Sequence, residues 1–120
     1  MQFNLLSLFV ATAAFTGVSQ AYVVQLFSGT NCNGDTWERN VWDNTCAYER
    51  GFQSFRMTTH GGGLQQMTIY SRQACAGATT FQGCAAGVNS IPIGQCFNAV
   101  NGDGGSNALS SYSSGGPCPN

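Results

Sequence analysis

Lysine is missing from this chain, and charge of either sign is scarce. Four arginines (Arg39, Arg50, Arg56, Arg72) stand against five acids (Asp35, Glu38, Asp43, Glu49, Asp103), for a net charge of −1. With no basic run there is no electrostatic footprint for nucleic acid or anionic lipid, and neither is expected as a partner. A single histidine, His60, and so few acids leave little material for acid–base catalysis. No Cys-x-x-Cys pair occurs, which argues against zinc as the reason for the cysteines. No Asn-x-Ser/Thr sequon occurs either, so solubility rests on Ser, Thr, Asn, Gln and exposed backbone. No segment combines helical apolar spacing with good caps, so the fold is expected to be almost entirely β.

What is present begins with a leader. Met1 to Asn4 is short and polar, Leu5 to Phe15 is apolar apart from Ser7 and Thr12, and Ser19-Gln20-Ala21 offers small residues at a cleavage site. Residues 1–21 therefore read as a signal peptide, although the n-region carries no Lys or Arg. A membrane anchor is the rival reading, but the run falls short of the roughly 20 residues a span needs, and no transmembrane segment is expected. The protein is expected to be secreted. The mature chain from Tyr22 has 99 residues and holds all six cysteines: Cys32, Cys46, Cys75, Cys84, Cys96 and Cys118. An even count in a small exported chain reads as three disulfides, each contributing about 2–4 kcal/mol.

One stretch occurs twice. Phe27-Ser28-Gly29-Thr30-Asn31-Cys32-Asn33-Gly34 and Tyr70-Ser71-Arg72-Gln73-Ala74-Cys75-Ala76-Gly77 share an aromatic, Ser, Cys and Gly at a constant offset of 43. The preceding residues repeat as well, with Val24 matching Met67 and Leu26 matching Ile69. Their period of two puts each pair on one sheet face. Strands are expected at Tyr22 to Phe27, from Thr36-Trp37, at Cys46 to Tyr48 and at Phe52 to Met57. In the second half the order repeats less tidily, with Met67 to Tyr70, Ala78 to Phe81, Gly94 to Asn98 and Leu109 to Tyr112 as the parallel segments. Thr58 to Gly63 reads as a linker between motifs at about 22–57 and 64–112 of a single domain over 22–112. Asn101 to Gly105 reads as an inserted glycine-rich loop. Residues 113–120 form a Ser/Gly/Pro tail that only Cys118 could hold.

The spacing aromatic, four residues, Cys, one residue, Gly resembles the folded-hairpin signature of the βγ-crystallin Greek key motif, with Cys in place of the second aromatic. In that family a serine follows about twenty residues later. Ser54 lies twenty after Gly34, whereas Ser111 lies thirty-four after Gly77 and fits only if insertions account for the difference. The resemblance implies two Greek key motifs packed as one βγ-crystallin-like sandwich; an unrelated disulfide-rich β-domain is the alternative. Gly34 and Gly77 would supply the positive φ of the hairpins. Cys32 corresponds to Cys75 and Cys46 to Cys96. If each half uses the same staple, the bridges are Cys32–Cys46 and Cys75–Cys96, with Cys84–Cys118 tying down the tail.

Many microbial members of the family bind calcium through a six-residue stretch ending in Ser. Here the stretches are Glu49 to Ser54, spoiled by Arg50 and Gln53, and Ser106 to Ser111. The second offers Ser106, Asn107, Ser110 and Ser111 as a weak calcium set without charge, with Asp103 nearby in sequence; no other cofactor is expected. His60 reads as an exposed linker residue. Asp35 with Glu38, or Asp43 with Glu49, could pair as carboxylates, but solvated surface acids are the better reading. Trp37 and Trp42 could form a carbohydrate or partner platform, but a core role for at least one is the better reading. The chain resembles the small secreted cysteine-rich proteins of filamentous fungi, which implies a non-enzymatic effector or killer-toxin-like antimicrobial. Its partner would be an extracellular protein, glycan or membrane component. A secreted protease inhibitor and a calcium-stabilised cell-wall protein are the alternatives.

Overall fold

The computed structural model describes residues 21–87, 89–100, 105–112 and Cys118. Apart from Ala21, the expected leader lies outside the described residues, as do Asp103 and all of the tail except Cys118. Eight strands follow in order: β1 (Ala21–Phe27), β2 (Thr36–Trp42), β3 (Cys46–Phe52), β4 (Ser54–Thr59), β5 (Gln66–Arg72), β6 (Ala76–Cys84), β7 (Cys96–Asn98) and β8 (Ser106–Tyr112). The secondary structure is all β, as the sequence pattern leads one to expect. The strands form two antiparallel four-stranded sheets, ordered β2-β1-β4-β7 and β3-β8-β5-β6.

Each sheet takes three strands from one half of the chain and one from the other. β3 leaves its own half to pair with β8, and β7 leaves its half to pair with β4. The halves are thereby joined by backbone hydrogen bonds in both layers, as well as by packing across them.

Alternation explains the core. Val24 and Leu26 on β1, Met57 on β4, and Met67 and Ile69 on β5 are wholly buried, as period-two patterning requires. Phe55 adds the largest apolar surface of β4. It stacks on Phe97 of its own sheet at 5.6 Å between ring centroids, and meets Phe81 of the other sheet edge-on at 4.8 Å. Such offset and T-shaped pairs add about 0.5–1.5 kcal/mol beyond burial. Tyr22 is buried as well, and its hydroxyl donates to the Ser110 carbonyl at 2.8 Å.

The disulfides correct part of the expected pairing. The bridges are Cys32–Cys96, Cys46–Cys75 and Cys84–Cys118; Cys32–Cys46 and Cys75–Cys96 do not form. The strand exchange is the reason. Cys46 begins the strand that crosses to the second half's sheet, where it meets that half's hairpin at Cys75. Cys96 begins the strand that crosses back and meets Cys32. Corresponding cysteines do occupy corresponding places, but each staple runs between halves.

The segment expected as a bare linker is also tied in. Thr58 and Thr59 belong to β4, and Gly61 N–H donates to Ala85 O at 2.9 Å. Gln65, wholly buried, takes Gly62 N–H on its Oε1 and donates through Nε2 to Val41 O and Ser111 Oγ. A buried amide so fully engaged stabilises the crossing between halves, since an unpaired one would cost about 1–3 kcal/mol.

Candidate functional site

The two copies of the repeat are two hairpins of the same shape. Asn31, Cys32 and Gly34 have φ of 58°, 57° and 94°; Ala74, Cys75 and Gly77 have 64°, 52° and 82°. Left-handed backbone at four non-glycine residues is costly and persists where the surroundings impose it. Ser28 Oγ accepts from Asp35 N–H at 2.9 Å, and Ser71 Oγ accepts from Ala78 N–H at 3.0 Å, so the serine after each aromatic closes its own turn.

Strand register fixes which later residues correspond. β4 pairs with β1 so that Ser54 faces Phe27, and β8 pairs with β5 so that Ala108 faces Tyr70. Ala108, not Ser111, is therefore the counterpart of Ser54. Side-chain bonds agree: Gln53 Nε2 donates to Ser28 O, and Asn107 Nδ2 donates to Ser71 O. Ser54 Oγ accepts from Cys32 N–H at 2.8 Å and donates to Gly29 O. Alanine cannot make either bond in the second half.

This shift of three residues takes the calcium candidates out of position. Ser106 Oγ donates to Ala99 O at 2.8 Å and contacts Thr80 Oγ1, Ser111 Oγ accepts from Gln65, and Asn107 is held on Ser71. Ser110 and Ser111 are neighbours on a strand and project to opposite faces. Three of the four side chains are thus engaged with other partners. Among the described residues, no group of three His, Cys, Asp or Glu is arranged to hold a metal.

Asp35 and Glu38 are exposed, as expected, but Glu49 and His60 fall differently. Glu49 is a buried residue, not a solvated surface acid. Its carboxylate forms an ion pair with Arg39 and accepts from Trp37 Nε1 at 2.9 Å. Arg50 lies over the Trp37 ring at 3.9 Å, so Trp37 packs in a polar-capped corner while Trp42 remains exposed. His60 is half-buried, with Nε2 2.8 Å from Ile91 O, and does not stand free in solvent. Burial keeps the Tyr22 hydroxyl protonated well above the usual tyrosine range.

A cleft of about 580 Å³ lies where the two hairpins approach each other. Its lining comes in corresponding pairs: Ser28 with Ser71, Gly51 with Gly105, and Gln53 with Asn107. Phe52 belongs to the lining but is wholly buried, and among the described residues Arg72 supplies the only charged side chain there. The repeated serine was the one sequence signal for this place. Gln53 and Asn107 are related only through strand register, which the spacing of the sequence does not display. Compared with protein-family models, curated proteins and solved structures, the chain matches none.

Proposed function

We propose that the chain is a secreted, non-enzymatic protein with the double Greek key architecture of the βγ-crystallins, acting outside the producing cell as an effector or killer-toxin-like protein of fungal type. The observation that carries the architectural reading is the exchange of β3 and β7 between sheets, together with twin hairpins whose left-handed positions coincide residue by residue. Both features support that reading over an unrelated disulfide-rich β-domain.

Three disulfides support an oxidising destination, and no helix among the described residues is long and apolar enough to cross a membrane. A non-catalytic role is supported by how the ionisable groups are used. Glu49 is committed to Arg39 and Trp37, and His60 to a backbone carbonyl, so neither is presented to a substrate. The test is to apply the oxidised mature protein to plant tissue and to a panel of bacteria and yeasts. Necrosis, growth arrest or permeabilisation at low micromolar dose is expected. Absence of any response across tissue and panel overturns the reading.

A further inference from the structure

We propose that the cleft between the two hairpins binds the uronic acid units of an acidic polysaccharide, with Arg72 receiving the carboxylate. Of the four arginines, Arg39 is paired with Glu49, Arg50 lies over Trp37 and Arg56 lies over Phe27. Arg72 alone has no ion-pair or aromatic partner among the described residues, and it lines the cleft. Its stem passes beside Gly77: a methyl group added there would come within 3.0 Å of Arg72 Cγ and 3.3 Å of Cδ. The absent side chain at Gly77 leaves the path along which the stem lies, and the residue as a whole is exposed. The corresponding residue in the first half is Gly29, so the cleft carries one cation on one side.

Around that cation the groups are neutral and of mixed polarity. Ser28 and Ser71 each accept a backbone N–H on Oγ, which leaves the hydroxyl proton to donate. Gln53 and Asn107 each use one side-chain N–H on a serine carbonyl, which leaves the second N–H and the amide oxygen. Sugar hydroxyls both donate and accept, so this ring of amides and hydroxyls suits them, while the planar guanidinium suits a carboxylate bidentately. One cation matches one carboxylate per ring; a phosphate dianion would call for more positive charge. An apolar peptide side chain would find no apolar floor, because the Phe52 ring is closed off. The volume lies within the range of roughly 300–1,000 Å³ usual for small-ligand sites. The proposal stands on the cleft alone and holds whether or not the protein is toxic to another cell.

The experiment is a titration of the oxidised protein, followed by calorimetry and amide chemical shifts, with tri-galacturonic acid, galactotriose and inorganic sulfate. Tri-galacturonic acid is expected to bind and to shift the amides of Ser28, Gln53, Ser71 and Asn107. Galactotriose and sulfate are each expected to bind at least tenfold more weakly. Arg72→Gln, which keeps a polar stem, should weaken tri-galacturonic acid tenfold or more. Gly51→Leu is a second, independent block. A Cβ added there would meet only Asn107 Oδ1, at 3.8 Å, so a side chain there fills the cleft without backbone strain and should abolish binding with the fold intact. Binding that survives either variant, sulfate binding as tight as the uronate, or no binding at 10 mM overturns the proposal. A toxic response that persists in Arg72→Gln would leave the effector reading standing and separate the two.

Discussion

Replacing Ser54 with alanine and Ala108 with serine, separately and together, measures how alike the two hairpins are. Ser54 is wholly buried, and its hydroxyl ties Cys32 N–H and Gly29 C=O into one turn. A net hydrogen bond contributes about 1 kcal/mol, and removing the hydroxyl also strands both backbone partners. Ser54→Ala should therefore cost about 2–3 kcal/mol. In the second hairpin, matched φ values bring Cys75 N–H and Arg72 C=O to the corresponding places, and Ala108 already occupies the position from which a hydroxyl would reach them. Ala108→Ser should gain about 1–2 kcal/mol. For a domain of this size each kcal/mol moves the melting temperature by about 4–8 °C. The assay is urea unfolding of the oxidised protein, reading the midpoint at unchanged m-value. The double variant should fall near the sum, because the two sites lie in different hairpins and share no bonded partner. A destabilised Ala108→Ser, as overpacking would give, refutes the equivalence of Ala108 with Ser54 and the register on which it stands.

Four further outcomes follow from the same fold. Gly34→Ala should cost about 2–3 kcal/mol, since φ is +94° and a methyl would press on Ser28 Oγ; Gly94→Ala, at +86° in open space, should cost about 1, as compared by thermal unfolding. Arg39→Ala should destabilise by about 2–4 kcal/mol in urea, since it leaves a buried carboxylate with one neutral donor, whereas Glu49→Gln should cost less. Tyr22 stays protonated in the fold while the unfolded chain ionises near pH 10, so the folded state holds the extra proton and stability falls as pH rises above about 10. Tyr22→Phe should lose about 1 kcal/mol at pH 7 and show a shallower alkaline decline in melting temperature. Non-reducing peptide mapping should recover Cys32 with Cys96 and Cys46 with Cys75; removing the first, whose separation is 64 residues against 29, should cost about 0.7 kcal/mol more on chain entropy.

Much of the β-structure was legible because it is local. Alternation in Val24-Gln25-Leu26 and Met67-Thr68-Ile69, and turn chemistry after each, depend only on neighbours along the chain. The hairpin glycines were legible for the same reason, since a positive φ is a property of one residue. Glu49 was not. Nothing beside it in sequence says that Trp37 and Arg39 will close over it, and an acid flanked by Tyr48 and Arg50 reads as solvated. His60 failed likewise, because its partner is a carbonyl thirty-one residues away.

The disulfides mark the boundary between what repetition can and cannot reveal. A repeat identifies corresponding cysteines, and in that sense Cys32 with Cys75 and Cys46 with Cys96 were correctly matched. It leaves undecided whether equivalent staples close within each half or between halves, because both schemes have the same internal symmetry. The choice belongs to topology: once β3 and β7 change sheets, Cys46 is near Cys75 and Cys96 near Cys32. A within-half bridge would have stabilised each motif separately. Cross-half bridges instead restrain the whole unfolded chain and make neither half complete alone. Gln53 and Asn107 reach the repeated serines within their own halves, through the pairing of β1 with β4 and of β5 with β8. The cleft itself takes its lining from both halves, Ser28 and Gln53 on one side and Ser71, Arg72 and Asn107 on the other, so a motif taken singly could not have disclosed it.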